Sequence, residues 1–298
     1  MVRMAAQNHT KANNMINFCH IAPTSYLPLV GDYNTHLLLA HLIEEDGAYR
    51  SFYRDLKERN PNVFYHIDNS AFEMFKRGQP MYDSDKLIEM AKMVGGDSIV
   101  LSDYPKEHSS KTIDAAINLI PKFKDSGFKT FFCPQSRFGQ TEALLDTFQW
   151  GVENNEVDFI GVSILACPIG LGINEQTYDI GVRDESYRLQ RYLSRYQVFK
   201  LLERRNLLGL DTIKRFHCLG MTDGPNEIEL LRRYHDFIFS WDSSSAIWHG
   251  INGIRYDSSP TGLRNGKFEA EVDFDIKYVD ILEDIDYNMS IIDNMCDL

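Results

Sequence analysis

Carboxyl side chains follow two apolar, β-like runs of this chain at the point where each run ends. Asp68 closes the run Val63–Ile67, and Asp242 comes shortly after the run Phe237–Ser240. Carboxylates that project from the carboxyl ends of strands are the groups with which barrel enzymes perform acid–base and nucleophilic chemistry. Asp68 and Asp242 are therefore the leading candidates for a catalytic pair.

Residues that could bind a substrate stand at the ends of these and other apolar runs. They are Asn69, Phe72, Asp103, Gln135, Ser163, Leu219 and Gly220. Carboxylates accept hydrogen bonds from ring N–H groups and exocyclic amines, an amide can donate to a ring carbonyl, and Phe72 or Leu219 could cover the faces of a planar ring. This set suits an aromatic heterocycle better than a phosphate group.

Strand-like and helix-like segments alternate along the chain, which predicts a parallel sheet covered by helices. The predicted strands are Ile16–Ala22, Val63–Ile67, Ser98–Ser102, Lys129–Cys133, Phe159–Leu165, Arg215–Leu219 and Phe237–Ser240. The predicted helices lie near His36–Arg59, Ser84–Val94, Lys111–Lys124, Thr141–Glu153, Glu185–Asn206 and Asn226–Arg233. An eighth strand at Ile251–Tyr256 or Ala270–Phe274 would complete a (β/α)8 barrel, which we favour over an open doubly wound sheet.

Length and composition fit one α/β domain. The chain has 298 residues, of which 43% are hydrophobic, and a single barrel takes about 250 residues. We divide it into a polar N-terminal extension (1–14), a barrel (15–266) and an acidic C-terminal segment (267–298). The five cysteines are scattered, without a C-x-x-C pair or a Cys/His cluster, so no disulfide framework or metal site is readable. We expect no cofactor.

The cellular compartment of the protein can be predicted from the cysteines and the apolar runs of the sequence. No apolar run approaches the roughly 20 residues that span a membrane, and the polar first residues do not resemble a signal peptide. With its scattered cysteines, the chain fits a reducing cytoplasm, and we expect no membrane partner.

Charge is distributed unevenly along the chain. The formal net charge is −12, and the segment from Phe268 to Leu298 alone carries ten acidic residues against one lysine. Between Arg183 and Arg215, nine Lys and Arg residues stand against four acidic ones. Such a basic face can bind a phosphate backbone although the whole protein is acidic, and a solvated helix face is the alternative. The candidate nucleic-acid contacts are Arg183, Arg188, Arg191, Arg195, Arg204 and Arg205.

The order of these motifs resembles that of the queuine-type tRNA-guanine transglycosylases and, more closely, their phage relatives of the DpdA type, which insert 7-deazaguanines into DNA. The segment Asp68–Glu73 resembles the family's Asp-Ser-Gly-Gly-aromatic-Gln motif, and Asp242 resembles the nucleophile of its Phe-Asp-Cys motif. Asp103 is similar to the Asp that reads the guanine edge. The remaining matches are Pro134-Gln135-Ser136 to Val-Gln-Gly, Gly161–Ala166 to a Gly-rich base-contacting strand, and Cys218-Leu219-Gly220 to Leu-Met-Gly.

The resemblance implies a base-exchange glycosyltransferase that replaces guanine in DNA by a 7-deazaguanine derivative. In such an exchange one carboxylate attacks the anomeric carbon and forms a covalent glycosyl-enzyme, while a second carboxyl group protonates the leaving base. Asp242 would be the nucleophile, and Asp68 the general acid and base. The target nucleotide must leave its stack, and Phe72, Tyr104 and Trp241 would replace the lost stacking. The implied partners are DNA, in a phage-infected host cytoplasm, and a free 7-deazaguanine base.

Two departures distinguish this chain from the tRNA enzymes. After the nucleophile, that family carries a Pro-Thr-Arg run that serves tRNA recognition, whereas this chain has Ser243–His249. The family's zinc-binding cysteines are missing as well, since only Cys296 lies beyond Cys218. These departures favour DNA over tRNA and predict a barrel without the zinc-binding subdomain. They leave the oligomeric state open.

Other functions remain open on the sequence alone. One is a tRNA-guanine transglycosylase despite these departures, and another is a non-catalytic nucleic-acid-binding module that uses the basic segment 183–215. A third is a metal-dependent barrel hydrolase. Its ligands would be His66, Asp68, His217 and Asp242. At each single position, an Asp at a strand end could instead cap the following helix.

Overall fold

Eight parallel β-strands form one sheet that is rolled into a nearly closed barrel. The computed structural model describes residues 15–173, 185–209, 214–268 and 270–297, apart from the side chains of Phe72, Phe75 and Glu185. The strands are β1 Asn17–His20, β2 Thr35–Leu39, β3 Phe64–Asp68, β4 Ser98–Val100, β5 Lys129–Phe132, β6 Phe159–Ser163, β7 Arg215–Leu219 and β8 Ile238–Ser243. They are hydrogen bonded in the order β1-β8-β7-β6-β5-β4-β3-β2. The predicted single-domain (β/α)8 fold is confirmed.

Helices follow the strands and cover the outside of the barrel. They are α1 Ala40–Glu45, α2 Gly47–Arg59, α3 Ala71–Lys76, α4 Ser84–Val94, α5 Ser109–Asp125, α6 Thr141–Glu153, α7 Ala166–Gly170, α8 Glu185–Arg204, α9 Glu227–Leu230, α10 Ser245–Ile251 and α11 Leu282–Cys296. Short 3-10 helices lie at Thr24–Val30 and Arg232–Phe237. Within the described ranges, no helix is both long and apolar enough to cross a membrane.

Local signals explain why α4 has the predicted bounds. The side chain of Asp83 accepts a hydrogen bond from the backbone N–H of Asp85 and so caps the amino end of the helix. Gly95 adopts the left-handed conformation, with φ of 72°, and ends it. Helix α6 also has the predicted bounds, whereas the predicted helix Asn226–Arg233 is only the short α9 followed by a 3-10 helix.

The prediction of the eighth strand was wrong. Neither Ile251–Tyr256 nor Ala270–Phe274 forms a strand, and the missing strand is β2, at the start of the predicted helix His36–Arg59. All five residues of β2 are buried, so its sequence lacks the alternation of a half-exposed strand. Its Leu-rich run also continues directly into α1, and this continuity made the whole stretch resemble one helix.

The ends of the sheet meet at a seam. Strands β1 and β2 pack against each other, but no ladder of hydrogen bonds joins them. Strand β1 pairs with β8, where Cys19 lies level with Asp242, and β2 pairs with β3, where Leu39 lies level with Asp68. Both candidate catalytic strands therefore stand one position away from the seam.

The barrel interior is closed by aromatic rings near the amino ends of its strands. Phe64, Phe131, Phe159 and Phe239 pack together there in tilted and edge-on pairs. Rings of this kind bury large apolar areas and exclude water. The accessible chemistry is therefore confined to the carboxyl ends of the strands.

The acidic C-terminal segment ends in a helix that packs on the barrel. Helix α11 lies against α10 and β1, and it buries Ile285, Met289 and Ile292. The amide of Asn288, also fully buried, accepts a hydrogen bond from the Tyr256 backbone and donates to the carbonyls of Ala246 and Ile254. This helix is thus attached by its apolar face and by Asp293, whose carboxylate contacts His20 and accepts a hydrogen bond from the hydroxyl of Tyr33.

Candidate active site

A cavity of about 1040 Å³ opens at the carboxyl ends of the strands. It brings together nearly all of the predicted catalytic and substrate-binding residues, namely Asp68, Asn69, Asp103, Gln135, Ser163, Leu219, Gly220 and Asp242. Phe72 lies in α3, but its side chain is outside the described part of the structure. The carboxyl ends of parallel strands converge in a barrel, which is why residues far apart in sequence share this space.

Asp242, near the end of β8, is held by two hydrogen bonds. Its Oδ1 lies 2.9 Å from Nε2 of His217 and accepts a hydrogen bond from the backbone N–H of Gly220 at 3.1 Å. The residue is 6% exposed and lines the cavity. Both contacts reach the same oxygen, so Oδ2 is the oxygen available to a substrate.

Asp68 ends β3 and lies in a different environment. Its Oδ2 accepts a hydrogen bond from the backbone N–H of Ser70 at 2.9 Å. Burial raises the pKa of the Asp68 carboxyl well above its ordinary value, and the neighbouring charges of Glu73, Asp103 and Asp242 raise it further. A carboxyl group in this environment keeps its proton at higher pH and is suited to be a general acid.

Backbone strain accompanies the turn that follows Asp68. Ser70 has a φ of 52°, in the left-handed region that favours glycine. Its buried hydroxyl accepts hydrogen bonds from the backbone N–H of His41 at 3.2 Å, and it also contacts Nδ1 of that residue at 3.0 Å. Such a conformation persists only where surrounding contacts enforce it, and it is typical of functional turns.

Asp103, Asn69 and Gln135 form a hydrogen-bonded group across the ends of β3, β4 and β5. Asn69 donates to Oδ1 of Asp103 at 3.0 Å, and Gln135 donates to Oδ2 at 2.6 Å. Burial raises the pKa of Asp103, although these two donors act in the opposite direction. Oε1 of Gln135 is buried and has no hydrogen-bond partner among the described residues. The group therefore contains an unused hydrogen-bond acceptor.

The last three predicted substrate-binding residues have mainly structural contacts. Ser163 accepts hydrogen bonds from the backbone N–H groups of Leu165 and Ala166, which anchors the turn after β6. Leu219 is half-buried at the end of β7. Gly220 has a φ of 72°, and a Cβ there would lie 2.8 Å from Ile164, so this position requires glycine.

The predicted nucleic-acid contacts do not form one face. Arg188 and Arg191, in the first half of α8, line the cavity. Arg204 is exposed at the end of α8, away from the cavity, and Arg205 pairs with Glu142 and Asp146 of α6. Arg183 lies outside the described residues. Among the described residues of the basic segment, Arg188 and Arg191 are therefore the cations that line the site.

Arg195 cannot serve as the predicted nucleic-acid contact, because its side chain is fully buried. Its guanidinium binds both carboxylate oxygens of Glu227, at 2.6 and 2.5 Å, and donates to the carbonyls of Val162 and Leu219. It also packs on the ring of Trp241. Trp241 itself is fully buried, so it does not supply the stacking surface that the sequence suggested.

Replacing Arg195 by Met is expected to lower the free energy of unfolding by about 3–5 kcal/mol, because the Glu227 carboxylate would remain buried without its partner. Urea unfolding of the two proteins measures the difference. The matched control is Arg204→Met on the exposed end of the same helix, with an expected change within about 0.5 kcal/mol. Equal losses in both variants would contradict a structural role specific to Arg195.

Several charged residues of the cavity were not among the predicted ones. They are Glu73, Lys76, Arg77, Asp223, Lys267 and Glu271. Burial raises the pKa of Glu73 and lowers the pKa of Lys267. Asp223 lies four positions after the end of β7, so extending the search beyond the first three residues after each strand would have found it. Lys267 and Glu271 come from the C-terminal segment, and no strand-end pattern points to them.

The ligands of the hydrolase hypothesis are not brought together. Both ring nitrogens of His66 contact serine hydroxyls, those of Ser98 and Ser240, and only His217 reaches a carboxylate. Across the described ranges, no group of three His, Cys, Asp or Glu residues could hold a metal ion.

Comparisons with known proteins do not identify a family for this chain. No protein-family model matches the chain, and a search of curated proteins found no significant match.

Proposed function

We propose that this protein is a base-exchange glycosyltransferase that replaces guanine in DNA by a 7-deazaguanine derivative through a covalent intermediate on Asp242. One observation carries the proposal: a single cavity contains two carboxyl groups in opposite environments. Asp68 has a raised pKa and can supply a proton, whereas one oxygen of Asp242 is fixed by the imidazole of His217 and the backbone N–H of Gly220. Pairs of carboxyl groups with such different environments divide acid and nucleophile roles between them.

The two carboxyl groups suit the two half-reactions. In the first, Asp242 attacks the anomeric carbon, the glycosidic C–N bond breaks, and its electron pair takes the proton of Asp68 at the leaving base. In the second, the ionised Asp68 removes the N9 proton of the incoming base, which displaces Asp242 from the sugar. The configuration of the sugar is retained because two displacements occur.

A base edge fits the group formed by Asn69, Asp103 and Gln135. The sequence alone suggested that the amide of Gln135 donates to a ring carbonyl. In the structure the amide nitrogen is bonded to Asp103, and the unpartnered Oε1 offers an acceptor to a ring N–H or exocyclic amine. This supports a heterocycle with donors on one edge, as guanine has.

The motif resemblance gains support from the conformation of Ser70. This residue stands where the related motif has its first glycine, and its φ of 52° is one that glycine adopts without strain. The backbone at this position thus has a conformation that glycine would adopt, although the side chain differs.

Cations near the cavity suit a nucleic-acid backbone. Besides Arg188 and Arg191, the lining includes Lys76, Arg77 and Lys267. Lys76 pairs with Glu271 and Arg77 pairs with Glu45. A phosphate backbone could exchange for these exposed carboxylates, since such surface pairs stabilise the protein little.

The test is base exchange with labelled substrates. The protein is incubated with DNA or with unmodified tRNA, in the presence of labelled guanine or labelled 7-deazaguanines, and label in the polymer is measured. Label in DNA alone supports the proposal. Label in tRNA shows that a chain without the Pro-Thr-Arg run still accepts tRNA, so that departure does not select DNA as the substrate. Absence of label from both polymers overturns the proposal.

A matched pair of arginine variants tests where DNA binds. Arg191→Gln is expected to weaken DNA binding and to reduce the slope of log K against log salt by about 1, as for loss of one phosphate contact. Arg204→Gln, away from the cavity, is expected to change neither quantity. Fluorescence anisotropy with a labelled DNA at several salt concentrations measures both. Equal effects of the two variants would argue against binding at the cavity.

A further inference from the structure

A chain of hydrogen bonds crosses the closed interior of the barrel and ends at Asp242. The contacts run from Ser98 Oγ to His66 Nδ1 (2.6 Å), from His66 Nε2 to Ser240 Oγ (3.4 Å), from Ser240 Oγ to His217 Nδ1 (2.6 Å), and from His217 Nε2 to Asp242 Oδ1 (2.9 Å). The two serines and two histidines are fully buried. The phenyl rings of Phe131 and Phe159 pack edge-on against His66.

While both imidazole rings are neutral, the protons of this chain can point in one of two directions. If Asp242 is ionised, His217 must donate from Nε2, so its Nδ1 accepts from Ser240, and His66 must then donate from Nε2 to Ser240. Ser98 donates to His66 at the far end. If Asp242 is protonated and donates to His217, every proton in the chain points the other way, and His217 carries its proton on Nδ1.

One feature favours the direction toward Asp242. The backbone N–H of Gly220 is a fixed donor, and it points at the same Oδ1 that His217 contacts. Burial lowers the pKa of His66 well below its ordinary value, so that ring stays neutral and one of its nitrogens donates while the other accepts. A neutral chain of this kind can fix the orientation of a carboxylate without adding a buried charge.

We propose that His217, held with its proton on Nε2 by the chain of Ser98, His66 and Ser240, is the positioning residue that holds Asp242 with Oδ2 toward the substrate. This inference rests on the proposed function, because it assigns the nucleophile role to Asp242 and the acid role to Asp68. It adds a residue and a protonation state that the arrangement of carboxyl groups alone does not specify.

The hydrogen bond from His217 acts in both half-reactions. When Oδ2 forms the ester with the sugar, Oδ1 becomes a carbonyl oxygen and still accepts from His217 and Gly220. When the ester C–O bond breaks, its electron pair returns to Asp242, and the two donors stabilise the departing carboxylate. The chain therefore makes Asp242 a better leaving group without transferring a proton to it.

The tautomer of His217 is the first test, and it does not depend on turnover. Long-range proton–nitrogen NMR on protein with ¹⁵N-labelled histidine distinguishes a protonated from an unprotonated ring nitrogen, and loss of the signals in His217→Gln assigns them. At neutral pH we expect Nε2 to be protonated and Nδ1 to be unprotonated. A proton on Nδ1, alone or together with one on Nε2, would overturn the proposal.

Kinetics of three variants form the second test. His217→Gln places an amide nitrogen where Nε2 lies, and it should keep the rate within about tenfold of wild type. His217→Leu removes the donor and should lower kcat about 10²-fold with little change in KM. Ser240→Ala removes the hydroxyl that fixes the tautomer of His217, and it should lower kcat about tenfold.

The outcomes separate the two proposals. Unchanged turnover in a folded His217→Leu, or equal losses in the Gln and Leu variants, would overturn the role of His217. If the Leu variant does not fold, Ser240→Ala decides, because wild-type turnover in that variant would contradict the chain. If the wild-type protein exchanges no base in DNA or tRNA, the proposed function fails, while the NMR result still decides the protonation of His217.

Discussion

Replacing Asp242 by Asn is expected to abolish base exchange, lowering kcat at least about 10⁴-fold. The amide has nearly the shape of the carboxylate but cannot form the glycosyl ester, and it leaves the remainder of the site in place. Label incorporation from 7-deazaguanine into DNA measures the rate. A denaturing gel with labelled DNA detects the covalent adduct, which should form with wild type and not with the variant.

Two controls define what this result would mean. DNA affinity should change little in Asp242→Asn, because the side chain lies at the strand end and is 6% exposed. Asp103→Asn removes a carboxyl group from the same cavity without removing the nucleophile, so it should still form some adduct. Adduct formation by Asp242→Asn would assign the nucleophile to another residue and overturn the mechanism.

Replacing Asp68 by Asn is expected to slow guanine release about 10²- to 10⁴-fold, because the leaving base would lose its proton donor. In wild type, the protonated form of Asp68 is the active one in this step. The rate of the first half-reaction should therefore fall as pH rises through the raised pKa of Asp68. Single-turnover release of guanine, measured across pH, should show this decline in wild type and lack it in the variant.

Stability provides the control for this second variant. The folded-state pKa of Asp68 is raised, so ionising the carboxyl costs folding free energy as pH rises above the unfolded value. Asn has no such cost, and the variant should melt at a temperature no lower than wild type at neutral pH. A large loss of melting temperature would show that the lost activity reflects damage to the fold.

The barrel and the convergence of the candidate site were predictable from the sequence for a physical reason. Parallel strands place their carboxyl ends together, so Asp68, Asp103 and Asp242 had to share one face once three strands were recognised. The local signals at Asp83 and Gly95 likewise predicted the bounds of α4. These inferences use only spacing and periodicity, which the sequence contains.

What the sequence could not predict depends on which way a side chain faces. Arg195 stands in a basic run, and only the packing of α8 turns it toward Glu227 in the interior. Strand β2 is buried on both faces, so it lacks the period that distinguishes a strand from a helix. The sequence suggested His66 and His217 as metal ligands, and their joint chain with Ser240 appears only when the rolled sheet places β3 across the barrel interior from β7 and β8.

The seam between β1 and β2 gives the strands of the two candidate carboxyl groups two unequal connections. Along the long arc from β3 to β8, every neighbouring strand pair is joined by ladder hydrogen bonds. Along the short arc, the connection from Asp68 to Asp242 crosses β2 and β1 and is interrupted at the seam. The separation of the two carboxyl groups is therefore set by the ladder of the long arc, and the packing of β1 on β2 can change without breaking a ladder bond.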